Sequence, residues 1–255
     1  DTARSRGLGD VYKRQQEESG NMLHGTRYDT PDAAIEAAKG TAYKPYKLVP
    51  LTGSELSAIN NIDEVKARMK RCNGEKLDLS NLGLTSLVGL EDLLVEFGLM
   101  DIKELKLSIN NLIDLKGFPN LKQLIRLNIG YNKINNFNHL PKLGKLQILC
   151  AYNCNITSFD GLPCLPNLLM FDCDSNKINS LKGLPEMPQL ETLNIRGNKI
   201  KSLKYLTKTP VLEKLIAWDT NINNLDDLPK LPNLKHIAIE ISLYEIEDTL
   251  KRMRE

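Results

Sequence analysis

At 255 residues the chain has room for one or two domains, and 26% charged with 41% hydrophobic residues is ordinary for a globular protein. A formal net charge of +2 gives no global attraction to nucleic acid or to a polyanionic surface, and no apolar run approaches the ~20 residues that span a membrane. Five cysteines form an odd set without a CxxC pair, which argues against a disulfide framework and for a reducing compartment, so a cytoplasmic or nuclear location is expected.

Residues 10–15 read Asp10-Val11-Tyr12-Lys13-Arg14-Gln15, which resembles the translation of a transposon end used to prepare sequencing libraries. Residues 1–15 are therefore expected to be a read-through scar that plays no part in the fold. Thr30-Pro31-Asp32, then AAIEAAK and Gly40, predicts a short helix with Thr30 as its cap, Pro31 at its first position and Gly40 at its end. Two prolines and a glycine make residues 42–53 an extended linker, and residues 16–53 could be the end of an upstream region. Leu56, Ile59, Ile62, Val65 and Met69 then take up helical spacing, which predicts an amphipathic helix over 54–72 within a cap at 54–75. Its expected task is to cover the open apolar end of the domain that begins near residue 76.

From about residue 76 a unit of 22 residues recurs. Leu105, Leu127, Leu149, Phe171, Leu193, Leu215 and Ile237 are 22 apart, and Leu77 precedes the first by 28. A fixed period of this length means a solenoid. Within each unit the pattern is L-x-L-x-x-N-x-I/L-x-x-L, and alternation of its first two apolar positions predicts a short strand with one face buried. Equivalent strands stacked side by side make one parallel sheet.

Five residues after the first apolar position comes a column of Asn110, Asn132, Cys154, Asn176, Asn198 and Thr220. The chain must bend inward there, and an Asn amide can donate to and accept from backbone groups that water no longer reaches. Leu82 and Ser242 hold that position in the end units. Pro119, Pro141, Pro163, Pro185 and Pro229 keep the same register, with Thr207 in the one gap, and Pro166, Pro188, Pro210 and Pro232 form a second column. Prolines three residues apart do not suit a helix interior, so the outer side of most units is expected to be 3₁₀ or extended. The first unit is longer, and LEDLLVEFGLMDIKEL predicts a helix there.

These residues resemble the leucine-rich-repeat family over roughly 76–242. The 22-residue length and the L-x-x-L-P segment are similar to the subclass found in a nuclear regulatory subunit of protein phosphatase 1, the spliceosomal A-prime protein and bacterial internalins. The resemblance implies an α/β leucine-rich-repeat solenoid: curved, with a parallel sheet on the concave side, a 3₁₀ or extended convex side and a helical N-terminal cap, in a repeat domain of about eight units over 76–255. It also implies a protein partner on the concave side, although fold analogy alone does not identify it.

Strand alternation places three columns on that side. One runs Lys76, Glu104, Arg126, Ile148, Met170, Thr192, Lys214, His236; the next Asp78, Lys106, Asn128, Cys150, Asp172, Asn194, Ile216, Ala238; the third Ser80, Ser108, Gly130, Tyr152, Asp174, Arg196, Trp218, Glu240. Ile148, Cys150, Tyr152 and Met170 are expected to form an exposed apolar cluster with Tyr131 at its edge, and Ile216 and Trp218 a second, with Arg126, Arg196, Asp172 and Asp174 around them. Tyr, Trp and Arg dominate interface hot spots, and exposed apolar patches mark contact sites. The competing expectation is that these side chains pack on one another or under the N-terminal segment.

Catalytic chemistry finds little support. The cysteines should diverge, so zinc is not expected, and His24, His139 and His236 are far apart, so no nucleophile and base pair up. Asp172, Asp174 and Asn194 read as a solvated acidic patch rather than a calcium site. No phosphate-cradling glycine pattern occurs. Lys133, Lys177 and Lys199 line one edge, which most simply means a solvated face rather than an RNA contact. The expectation is a monomeric, non-enzymatic, cofactor-free protein-interaction module. The alternatives are a regulatory or targeting subunit of an enzyme such as a phosphatase, the recognition domain of a larger enzyme or effector, or a ribonucleoprotein component.

Overall fold

The computed structural model describes residues 59–254. The expected scar at 1–15, the helix within 31–39, the linker at 42–53 and the first turn of the capping helix lie outside them.

Strands β1 (Lys76–Asp78), β2 (Glu104–Lys106), β3 (Arg126–Asn128), β4 (Ile148–Cys150), β5 (Met170–Asp172), β6 (Thr192–Asn194), β7 (Lys214–Ile216) and β8 (His236–Ala238) form one sheet in chain order. Every neighbouring pair is parallel, and the register joins Leu77 to Leu105, Leu105 to Leu127 and so on to Ile237. The columns read from the 22-residue period are therefore the columns of the sheet. Each strand is only three residues long because its backbone must then turn inward.

That inward turn has two devices. The Asn column is one. Asn132 is buried, its Nδ2 donates to the Leu107 and Ile129 carbonyls at 3.0 and 2.8 Å, and its Oδ1 accepts the Leu112 amide at 3.0 Å. Asn110, Asn176 and Asn198 repeat this bridge from one rung to the previous one. Cys154 keeps only the donor half: its Sγ lies 3.4 Å from the Ile129 carbonyl. Burial pushes this thiol up to about 12, so it stays protonated.

The second device is a backbone conformation that the residue types do not announce. Asn81, Ile109, Tyr131, Asn153, Ser175, Gly197 and Asp219 all take the left-handed region, with φ between 51 and 63°. Each lies four residues after its rung's first inward apolar position. For L-residues other than Asn or Asp this costs about 1–2 kcal/mol.

Beyond the turn the outer side is short and irregular, as the prolines require. Among the described residues the one 3₁₀ helix, Lys204–Lys208, falls in the unit where Thr207 replaces the proline. The longer first unit carries a helix at Leu90–Glu96, burying Leu90, Leu93 and Leu94. The interior is a single apolar core, mostly one Leu, Ile or Phe per position per rung, with the smaller Ala151, Cys173 and Ala217 in the second inward column. At mid-stack Phe137 and Phe159 lie parallel with centroids 6.5 Å apart, and Phe171 meets both edge-on at 5.9 and 6.0 Å.

Both ends are covered. The capping helix runs Ile62–Arg71 and buries Val65 and Met69. Ile62, expected on its inner face, is 44% exposed. The reason is that Asn60 and Asn61 serve the first rung instead of a helical turn. Asn60 accepts the Thr85 amide at 2.8 Å and donates to the Gly83 carbonyl, and Asn61 donates to the Leu82 carbonyl. At the other end a helix at Leu243–Arg254 packs Ile246, Leu250 and Met253 on the last rung, and its Glu245 accepts the Leu225 amide at 3.1 Å.

Candidate functional site

The three outward columns of the sheet differ in exposure. Each residue of the middle one has like neighbours about 4.8 Å away on the next rungs and a residue of each flanking column about 6.6 Å away along its own strand, and these cover it best at β3 and from β5 to β7. Asn128, Asp172, Asn194 and Ile216 in it are buried. Its acidic and amide side chains fold back on their own chain: Asp78, Asn128, Asp172 and Asn194 each accept the amide two residues on, at 2.9–3.1 Å. This is an Asx turn, and it explains why Asp and Asn recur at the end of the strand.

Two expectations change here. Asp172 and Asp174 are not a solvated acidic patch; they are 5% and 6% exposed. Asp172 accepts the Asn194 amide at 3.0 Å and the Asp174 backbone amide at 3.1 Å, while Asp174 accepts the Ser175 hydroxyl at 2.9 Å. Burial first, with the neighbouring Asp174 charge adding to it, raises the Asp172 carboxyl to about 7, against two hydrogen bonds that favour its charged form. Ile216 is likewise buried rather than exposed, because it lies in the covered middle column.

Most of what remains accessible lies in the flanking columns, although Ser108 and Asp174 of the third are buried. Ile148, Met170 and Tyr152 are half-buried on adjacent rungs around half-buried Cys150. The Tyr152 ring lies over Gly130, where an added Cβ would come within 2.8 Å of it. It meets Tyr131 edge-on at a centroid distance of 5.4 Å, and its hydroxyl accepts a 3.4 Å bond from Asn128 Nδ2. Burial pushes the Tyr152 phenol upward, so it stays neutral at physiological pH. Tyr152 thus serves the stack as well as the face, and a glycine opposite a tyrosine in the third column was the sequence signal for it. Tyr131 is 42% exposed and Trp218 36%. Arg126 is exposed, and Arg196 is half-buried with its Nε 3.1 Å from Asp219. The structure therefore gathers Ile148, Tyr152, Met170 and Tyr131, and leaves Trp218 further along the sheet on β7's rung.

Among the described residues no group of three or more His, Cys, Asp or Glu gathers as metal ligands, and no helix is long and apolar enough to cross a membrane.

This parallel eight-strand stack with its Asn-pinned turns is a leucine-rich-repeat solenoid. No family model and no curated protein matches the sequence. Among solved structures it is similar to the TLR13 chain of a TLR13–ssRNA13 complex, with 20% identity, TM-score 0.60, and coverage of 71% of this chain and 27% of that one. It is also similar to the internalin inlF of Listeria monocytogenes, with 21% identity, TM-score 0.50, and coverage of 70% of this chain and 59% of the internalin. The chain thus spans less than two thirds of either protein, and at this identity the likeness is one of fold.

Proposed function

We propose that this protein is a non-enzymatic interaction module whose concave sheet face binds a protein partner. The contact is centred on Ile148, Tyr152 and Met170, reaches Tyr131 and Trp218, and is bordered by Arg126 and Arg196. Asp172, Asp174 and Ile216 support it from beneath. The domain boundaries belong to the same proposal, with a cap at 54–75 and a repeat domain at 76–255. The observation that carries the reading is Trp218, the only tryptophan, 36% exposed on a sheet face whose stacking does not require it. A large aromatic ring held partly exposed on a rigid sheet costs little entropy to bind, which is why such rings anchor interfaces.

The test is affinity capture with the whole chain, followed by binding measurements on the purified partner. Trp218→Ala is expected to leave Tm within about 2 °C of the parent, as exposed positions do, and to weaken binding by roughly 30-fold, the scale of a ~2 kcal/mol hot spot. Unchanged affinity, or a large fall in Tm, would overturn the assignment. Tyr152→Ala is the less clean variant, because that ring also covers Gly130.

A further inference from the structure

The left-handed turn that ends each strand is occupied in five of seven rungs by small or polar residues, Asn81, Asn153, Ser175, Gly197 and Asp219. The other two are Ile109 at φ 58° and Tyr131 at φ 54°. A β-branched residue in this conformation is a true outlier, and a bulky aromatic one is uncommon. Neither side chain repays the strain inside the core, since they are 37% and 42% exposed. Ile113, at a position where other rungs place Asn135, Thr157 or Lys201, is 48% exposed as well. Strained, bulky and exposed is a poor solution for folding, and strain of this kind gathers where a surface is used.

Two residues past the left-handed position come Lys133, Lys177 and Lys199. All three are exposed, and none makes an ion pair among the described residues. Their backbone amides bond to the preceding rung at 2.8 Å in each case, so the three lysines are held in one line. Ile109 stands on the rung of β2, Tyr131 and Lys133 on that of β3, Lys177 on that of β5 and Lys199 on that of β6. At about 4.8 Å per rung the strip is roughly 20 Å long, the reach of about six extended residues.

We propose that this rim is a docking strip for an extended acidic segment of a protein partner, with an aliphatic or aromatic anchor against Ile109 and Tyr131 and carboxylates facing Lys133, Lys177 and Lys199. The proposal rests on the reading that this side of the solenoid binds protein, and it adds the chemistry of the partner. A nucleic acid would satisfy the lysines and could stack on Tyr131, but it gains nothing from Ile109 and Ile113, so the aliphatic pair favours a polypeptide.

The experiment selects displayed random twelve-residue peptides on the whole chain and measures the affinity of the synthetic winners by fluorescence anisotropy. The expected winners carry several Asp or Glu beside one aromatic or aliphatic residue. Ile109→Asn, which installs the residue used at the same turn by Asn81 and Asn153, is expected to raise Tm by about 2–4 °C yet weaken the peptide at least ~10-fold. Reversing Lys133, Lys177 and Lys199 to Glu is expected to weaken it at least as much and to invert its salt dependence, so that added salt no longer weakens what binding is left. Binding kept by Ile109→Asn overturns the proposal whatever happens to Tm. A random 20-nucleotide single-stranded RNA that binds more tightly than any selected peptide, and is lost on charge reversal alone, overturns it in favour of nucleic acid. If Trp218→Ala releases the peptides while the rim variants hold them, the rim proposal falls and the face reading stands. If no variant matters, both fall.

Discussion

Phe171→Ala is expected to lower the free energy of unfolding by about 3–5 kcal/mol, the range for emptying a buried aromatic site. Phe171 is fully buried on β5 and meets Phe137 and Phe159 edge-on, so its loss opens a cavity where three aromatic rings interlock. The neighbours cannot close it easily, because sheet register fixes Leu149 and Leu193 on either side. A rung also has no core of its own, and damage at mid-stack is felt by the units on both sides. Phe171→Leu, which installs the side chain used by most other rungs, is expected to cost less. Urea denaturation of both variants checks this, and a loss below about 1 kcal/mol for the alanine variant would mean that the phenylalanine cluster is not a keystone.

Asn176→Ala is expected to cost about 2–4 kcal/mol although it removes only three heavy atoms. The amide donates to the Ala151 and Cys173 carbonyls at 2.8 and 3.0 Å and accepts the Ile156 amide at 3.1 Å, all of them buried. Alanine leaves those groups without partners, and the cost of an orphaned buried donor or acceptor exceeds the net gain of the bond it lost. The converse change should stabilise. Cys154 bonds to carbonyls alone, so Cys154→Asn should add the missing acceptor for the Ile134 amide and stabilise the fold by about 1 kcal/mol. Thermal melts of the pair should move in opposite directions. Equal melts, or a destabilised Cys154→Asn, would show that the column is not a hydrogen-bonded ladder.

The sheet was legible in the sequence because a solenoid repeats one structural decision, and the period aligns Leu77 through Ile237 without further assumption. The Asn column was legible for the same reason, as was the helix of the first unit. The left-handed column was not. Five of its members are small or polar, but Ile109 and Tyr131 break the column, so residue type alone does not align it. Face exposure was legible only in part. Alternation says which residues point outward, but it treats the three outward columns alike. The middle one is enclosed by its neighbours, and so Asp172 and Ile216 are buried while Trp218 in a flanking column is not. The closing helix at Leu243–Arg254 had a readable signal in the spacing of Ile246, Leu250 and Met253, which lies past the last full period.

Photocrosslinking distinguishes a partner on the concave face from one on the convex side. A photoreactive phenylalanine analogue placed at Met170, on the half-buried centre of the face, is compared with the same group at Lys182, exposed on the outer side. In the presence of the captured partner, position 170 is predicted to give one discrete adduct and position 182 none, with the adduct lost on adding Trp218→Ala. An adduct from position 182 alone, or equal adducts from both, would mean that the concave face is not the binding surface.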